Sequence, residues 1–247
     1  FRVVGSADSI ASPNTVLNAI VAEAFCEAAD ILEKAEDFEM AVHDLIKEYM
    51  TDHHRIIFNG NGYSDEWVQE AERRGLPNIR SMVESASALT TDKAVKLFEK
   101  FHIFTKAELE SREEVQYETY AKSINIEALT MIDMASRQII PAVVGYSQKL
   151  ARTVLDVKAA GVEPSVQIEL LAQVNEKLTE MKGALADLQK IEAEASAMED
   201  GKAQAFFYKD AVMPAMAALR KPADELEMLV DKEDWPFPTY GDLMFEV

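Results

Sequence analysis

Glu99-Lys100-Phe101-His102 sets a carboxylate and an imidazole three residues apart, the Glu-x-x-His spacing with which helical bundles hold two irons. Such a centre takes two copies of the motif and two further glutamates. The positions three before His43, His53 and His54 hold Met40, Met50 and Thr51, so the half-motif stands alone and no metal site is assigned. His53 and His54 are adjacent, which splays their rings apart on a helix and suits one zinc poorly; both read as surface residues at a helix end. Asn59-Gly60-Asn61-Gly62 could cradle an anion in its backbone amides. It lacks the Gly-Lys-Ser/Thr of a P-loop and the glycine spacing of a dinucleotide fingerprint, and reads as a structural turn. Cys26, the single cysteine, lies on an apolar stretch and reads as a buried, inert thiol. Arg2 carries an always-charged fork suited to carboxylate or phosphate oxygens, but by itself it reads as a solvated terminal arginine. Met131, Met134, Met181, Met198 and Met213, among eleven methionines, read as core filler at helical spacing. Local signatures assemble no Ser-His-Asp or Cys-His constellation.

The elements that must position these groups are helical almost throughout. Ser12-Pro13 reads as a cap and first helical position, opening a helix to about Glu33; a second runs from Phe38 to about Met50. Ile56-Ile57-Phe58 is too short and too uniformly apolar for an amphipathic helix and reads as a buried extended segment. The Asn/Gly corner follows, built from residues that tolerate positive φ. Ser64 then caps a helix with Asp65 and Glu66 in its first turn, closed by Arg73-Arg74-Gly75-Leu76-Pro77. Two shorter helices are expected over 79–89 and 92–101. Thr105-Lys106-Ala107-Glu108 is a capping box opening a helix to about Ile140, about 50 Å long, where Pro141 must bend or break it. A continuation reaches Ala160, stopped by Gly161 and Pro164, and Ser165 caps the next helix.

Leu171, Val174, Leu178, Met181, Leu185 and Leu188 keep 3-4 spacing, extended by Ile191, Ala195 and Met198, a coiled-coil seam that needs a helical partner. A further helix over 203–219 contains Pro214, and Pro222 starts a short last one. Trp235-Pro236-Phe237-Pro238 cannot be helical and straps the end of the chain down. The expected fold class is all-α or nearly so: an antiparallel bundle of long helices, with a short extended segment and turn near 56–62 and a truncated strand at 1–5. A boundary is expected near 105, dividing 1–104 from a long-helix bundle over 105–247.

The chain has 247 residues, 48% hydrophobic, with a formal net charge of -19. Its cations are interspersed among the acids, so no basic stripe is available for nucleic acid or an anionic membrane. No apolar run approaches the ~18 residues of a membrane span, and a lone cysteine fits a reducing compartment; a cytoplasmic protein is expected. The first residue is Phe, which suggests a truncated or processed product.

Ile56 to Trp67 (Ile-Ile-Phe-Asn-Gly-Asn-Gly-Tyr-Ser-Asp-Glu-Trp), with Glu72-Arg73-Arg74-Gly75-Leu76, closely resembles a signature of type III glutamine synthetases. Phe1-Arg2, Ile10 to Glu23, Asn125 to Met131, Arg137 to Val143 and Trp235-Pro236 extend the resemblance over essentially the whole chain. It implies the C-terminal portion of a larger ligase that joins ammonia to glutamate through γ-glutamyl phosphate, with ATP and Mg²⁺ as cofactors of the parent enzyme. Residues 1–104 would then end the catalytic domain. The resemblance further implies that Arg2, two residues after a metal-binding glutamate, lines the site of phosphorylation and ammonia attack. No cofactor-binding or metal-binding residue is assigned to this portion, and none of the cofactors is expected in it alone. Its implied partners are the remainder of the synthetase chain and sister subunits of a homo-oligomer, with glutamate and ammonia as the parent's substrates. The alternative is a stand-alone helical scaffold or oligomerisation module without catalysis.

Overall fold

The computed structural model describes residues 9–245. The described residues form helices and turns without a strand, in an antiparallel bundle of long helices with shorter ones ahead of it. The expected strand at 1–5 lies outside the described residues. Two compact units divide inside a helix, between Glu113 and Glu114.

In the first unit, α1 (Ala11–Leu32) and α2 (Phe38–Asp52) pack together, and α1 also meets α5 (Asp92–Lys100). The N-cap of α1 is Ile10, and Pro13 therefore falls at the third helical position rather than the first. The cost is nil, because the first N–H groups of a helix have no intrahelical acceptor. Asp37 caps α2 by accepting from Met40 N–H at 3.0 Å. Between them come α3 (Asp65–Arg73) and α4 (Met82–Ala86), the latter followed by a 3₁₀ turn over Ser87–Thr90. The small core holds Ala19, Phe98 and Leu109. Most of the apolar stripe of α1 lies outside it: Ile20, Val21, Phe25 and Ile31 are exposed, as are Phe38 and Ile46 of α2. Cys26 is half-buried rather than enclosed; it lies on the face of α1 that carries Ala19 and Glu23 and meets α5 through the Glu23–Lys100 pair, 2.5 Å apart.

The second unit, from Glu114 onward, is built on the greater part of one helical rod, which begins in the first unit, and on its returns. The capping box forms as expected: Thr105 N–H donates to Glu108 at 2.7 Å, and Glu108 N–H to Thr105 Oγ1 at 3.4 Å. It opens α6 (Lys106–Met134), which passes through a π-helical turn (Ala135–Ile139) into α7 (Ile140–Ala159). Gly161, at φ +84°, ends the rod. The chain returns as α8 (Ser165–Ser196), whose N-cap is Pro164 with no side-chain cap; Ser165 is the first helical residue, one later than a cap. It comes back again through α9 (Gly201–Phe207), a second π-turn (Tyr208–Val212) and α10 (Met213–Leu229). Pairs that join α8 to this last run fix the antiparallel sense. Ser196 lies 3.3 Å from Tyr208, and Lys177 lies 2.8 Å from Glu225.

The seam expected on α8 is the spine of this core. Val174, Met181, Leu185, Leu188 and Ala195 are buried, against α7 and α10 of the same chain. Each buried leucine contributes about 1.5–3 kcal/mol by transfer from water.

Both π-turns precede a proline by two residues, Pro141 and Pro214. In a regular helix a proline ring collides with the carbonyl four residues back. Those carbonyls belong to Arg137 and Asp210, at the middle of each wide turn, where the backbone swells away from the ring. Pro141 therefore neither breaks nor ends the rod. Pro222 does not start a helix either; it sits buried inside α10, where apolar packing holds a turn that backbone preference alone would open.

After Val230 the chain is non-helical through the Trp-Pro-Phe-Pro strap. Trp235 is only 8% exposed and joins the second core, with Phe237 edge-on at 5.5 Å. A short α11 (Tyr240–Phe245) follows, its start closed by Thr239 N–H donating to Asp242 at 2.9 Å.

Candidate functional site

The stretch from Arg55 to Gly75 is the most densely organised in the first unit. Ile56 completes a 3₁₀ turn (His54–Ile56), and Ile57 is extended at φ -82°, ψ 119°. Ile56 is 61% exposed and Phe58 36%, so the extended segment exists without the expected burial.

The corner is a turn, as read, but its chemistry differs from the expectation. Among the described residues positive φ occurs at Gly75, Gly161 and His102, and not at Gly60 or Gly62. Gly60 leaves room for a ring: a Cβ there would stand 2.6 Å from Phe58 Cζ, so the ring would have to shift. Asn61 closes the turn with its side chain, accepting from Tyr63 N–H at 3.1 Å, the local bond that Asn makes readily. Ser64 Oγ then accepts from Trp67 N–H at 3.4 Å, capping α3 where expected. Trp67 stacks on Phe58 with centroids 3.9 Å apart.

Arg74 ties the two ends of this stretch together. Its Nη1 donates to the Ile57 carbonyl at 2.9 Å and to the Arg55 carbonyl at 3.2 Å. Its Nε donates to Glu70, which also receives both Nε and Nη2 of Arg73 at 2.7 Å. These two guanidinium groups hold the Glu70 carboxyl down at about 2. Gly75 follows at φ +68°, the left-handed cap that the Arg-Arg-Gly order announces. In sequence the two arginines read only as helix-end cations; the clamp joins carbonyls seventeen and nineteen residues back and carries no local signal.

The remaining candidates stay apart. Arg2 lies outside the described residues. Glu99 accepts from Lys106 N–H at 3.2 Å, and His102 takes φ 54° just past α5, so the half-motif closes a helix end. His43, His53 and His54 are exposed. Among the described residues no group of three or more His, Cys, Asp and Glu side chains could hold a metal ion.

In the second unit, polar order centres on Asn125. Its Nδ2 donates to Tyr208 Oη at 2.7 Å and to Ser196 Oγ at 3.1 Å, linking α6, α8 and the second π-turn. Tyr208 is buried, so this bond satisfies a hydroxyl that water cannot reach.

A family model described as "Glutamine synthetase C-terminal domain" matches residues 41–158. The chain is 35% identical to a glutamine synthetase of Butyrivibrio fibrisolvens over 86% of its own length and 31% of that protein's. It is 33% identical to a type-3 glutamine synthetase of Dictyostelium discoideum, over 99% of this chain and 35% of the relative. A glutamine synthetase of Bacteroides fragilis is 30% identical over 99% and 35%. The chain thus spans about one third of the length of the curated relatives it matches. The signature corner, the seam-built bundle and these matches agree: the chain belongs to the glutamine synthetase family, type-3 enzymes included, and corresponds to a C-terminal portion of such a protein.

Proposed function

We propose that this chain is the C-terminal part of an ATP- and Mg²⁺-dependent ligase that joins ammonia to glutamate through γ-glutamyl phosphate, and that by itself it is inactive. The observation that carries the ligase assignment is the match of 99% of the chain to one third of a type-3 glutamine synthetase. The described residues do not fit the parent's metal, since they bring no set of ligands together. Nucleotide and metal chemistry are therefore assigned to the rest of the parent chain. Arg2 is assigned to the edge of that active site, where its fork would hold carboxylate or phosphate oxygens.

In this account the portion up to about residue 104 completes the catalytic domain, and the bundle from 105 onward buttresses it within a cytoplasmic homo-oligomer. Support for the first role comes from the bare stripe of α1 and α2: Ile20, Phe25, Phe38 and Ile46 are 46–72% exposed. Large apolar side chains left this exposed on two packed helices suit an interface, and the remainder of the synthetase chain is its assigned occupant. The stand-alone scaffold reading predicts instead a face that stays bare. A γ-glutamyl transferase assay separates them: activity is expected from the full-length synthetase and none from residues 1–247. Turnover by the shorter chain overturns the inactive assignment.

A further inference from the structure

Inside the second unit a cavity of about 360 Å³ opens between the end of α6, the first π-turn, α8, α10 and the C-terminal strap. Its walls are mostly apolar, and their composition is particular: Met131, Met134 and Met181 line it together with Trp235 and Phe237. Arg220 and Asp224 are also among its lining residues, with Arg220 Nε 3.2 Å from Asp224.

We propose that this cavity is a binding site for a small, compact molecule built on an aromatic ring. Three features carry the assignment. The volume lies in the range of small-molecule pockets between the helices of bundles, and exceeds the roughly 150 Å³ at which an apolar cavity already takes up benzene. Methionine sulfurs and aromatic edges are the partners an aromatic ring prefers over an aliphatic one. The cavity wall also takes in the first π-turn. Ala135 and Ile139 of the π-turn line it, and wide turns of this kind recur at functional sites. Trp235 adds a further mark, since its buried indole N–H meets no acceptor among the described residues. A native interior leaves few such donors. The site contains none of the residues assigned to ligation, and its test involves no turnover.

Indole is the probe, added to the 247-residue chain labelled with ¹³C at the methionine methyls. Saturable shifts are expected at Met131, Met134 and Met181, with half-saturation on the order of 0.1–1 mM, as befits a ligand of nine heavy atoms. Met198 and Met213 lie outside the cavity lining and should not move. Ala223→Leu extends a side chain into the cavity from its wall and should weaken binding at least ~10-fold, by occupying volume the probe needs. Absence of saturable shifts in the unmodified chain overturns the assignment, whether or not the variant folds. Equal shifts at all methionines, or undiminished binding to a folded Ala223→Leu chain, overturn it as well.

Discussion

Arg74 reaches back seventeen residues to the carbonyl of Ile57, 2.9 Å from its Nη1, and so holds the two arms of the signature corner at a fixed separation. The guanidinium also lies 5.4 Å from the centre of the Trp67 ring, on which Phe58 is stacked. One side chain thus braces the extended segment, the aromatic pair and the end of α3.

Removing that brace has a definite cost. Arg74→Ala abolishes two bonds to backbone carbonyls and one to Glu70 and is expected to destabilise the first unit by about 1.5–3 kcal/mol, the range for hydrogen bonds to charged groups. Urea unfolding followed by Trp67 fluorescence in a Trp235→Phe background measures it. Unchanged stability would show that the clamp holds nothing.

Gly60→Ala tests the second demand of the corner. With a Cβ placed 2.6 Å from Phe58 Cζ, the ring must leave its stack on Trp67, forfeiting about 0.5–1.5 kcal/mol. A changed Trp67 emission, with the helix content of α3 retained, is the expected result.

The same corner responds to acid. Glu70 has its folded-state pKa lowered from 4.5 to about 2 by Arg73 and Arg74. A depressed carboxylate contributes stability that is complete above 4.5 and fades as pH falls towards 2. Loosening of the corner is therefore expected between pH 4.5 and 2, and Glu70→Gln should flatten that part of the profile. Carboxyl NMR titration reads it directly.

Much of this corner was legible before any coordinates. Ser64, the acids after it and Gly75 announce a helix through local rules, and local rules act within a few residues. Thr105 with Glu108, and the 3-4 spacing along α8, were readable for the same reason. The seam's partners were not, because α7 and α10 lie far along the chain. What escaped was set by neighbours in space. Gly60 serves a ring two residues away rather than a positive φ. Pro222 stays inside α10 because the core on its buried face holds that turn. Both π-turns arise where a proline meets a helix that packing keeps whole, so proline alone predicted a break.

Asn125 tests the second unit. Asn125→Ala strips the buried Tyr208 hydroxyl of its 2.7 Å donor and should cost about 1–3 kcal/mol. Leu188→Ala, in the fully buried seam, should cost about 2–5 kcal/mol. Thermal unfolding of each variant gives the comparison, and a reversed order would contradict the assigned core.

The exposed apolar side chains of α1 and α2 are assigned to contact with the rest of a synthetase. Phe25, 72% exposed, decides it. Phe25→Ser should change the stability of the 247-residue chain by no more than about 0.5 kcal/mol, yet sharply lower the γ-glutamyl transferase activity of the full-length enzyme carrying the same change. Full activity in that enzyme, with the serine in place, would contradict the account.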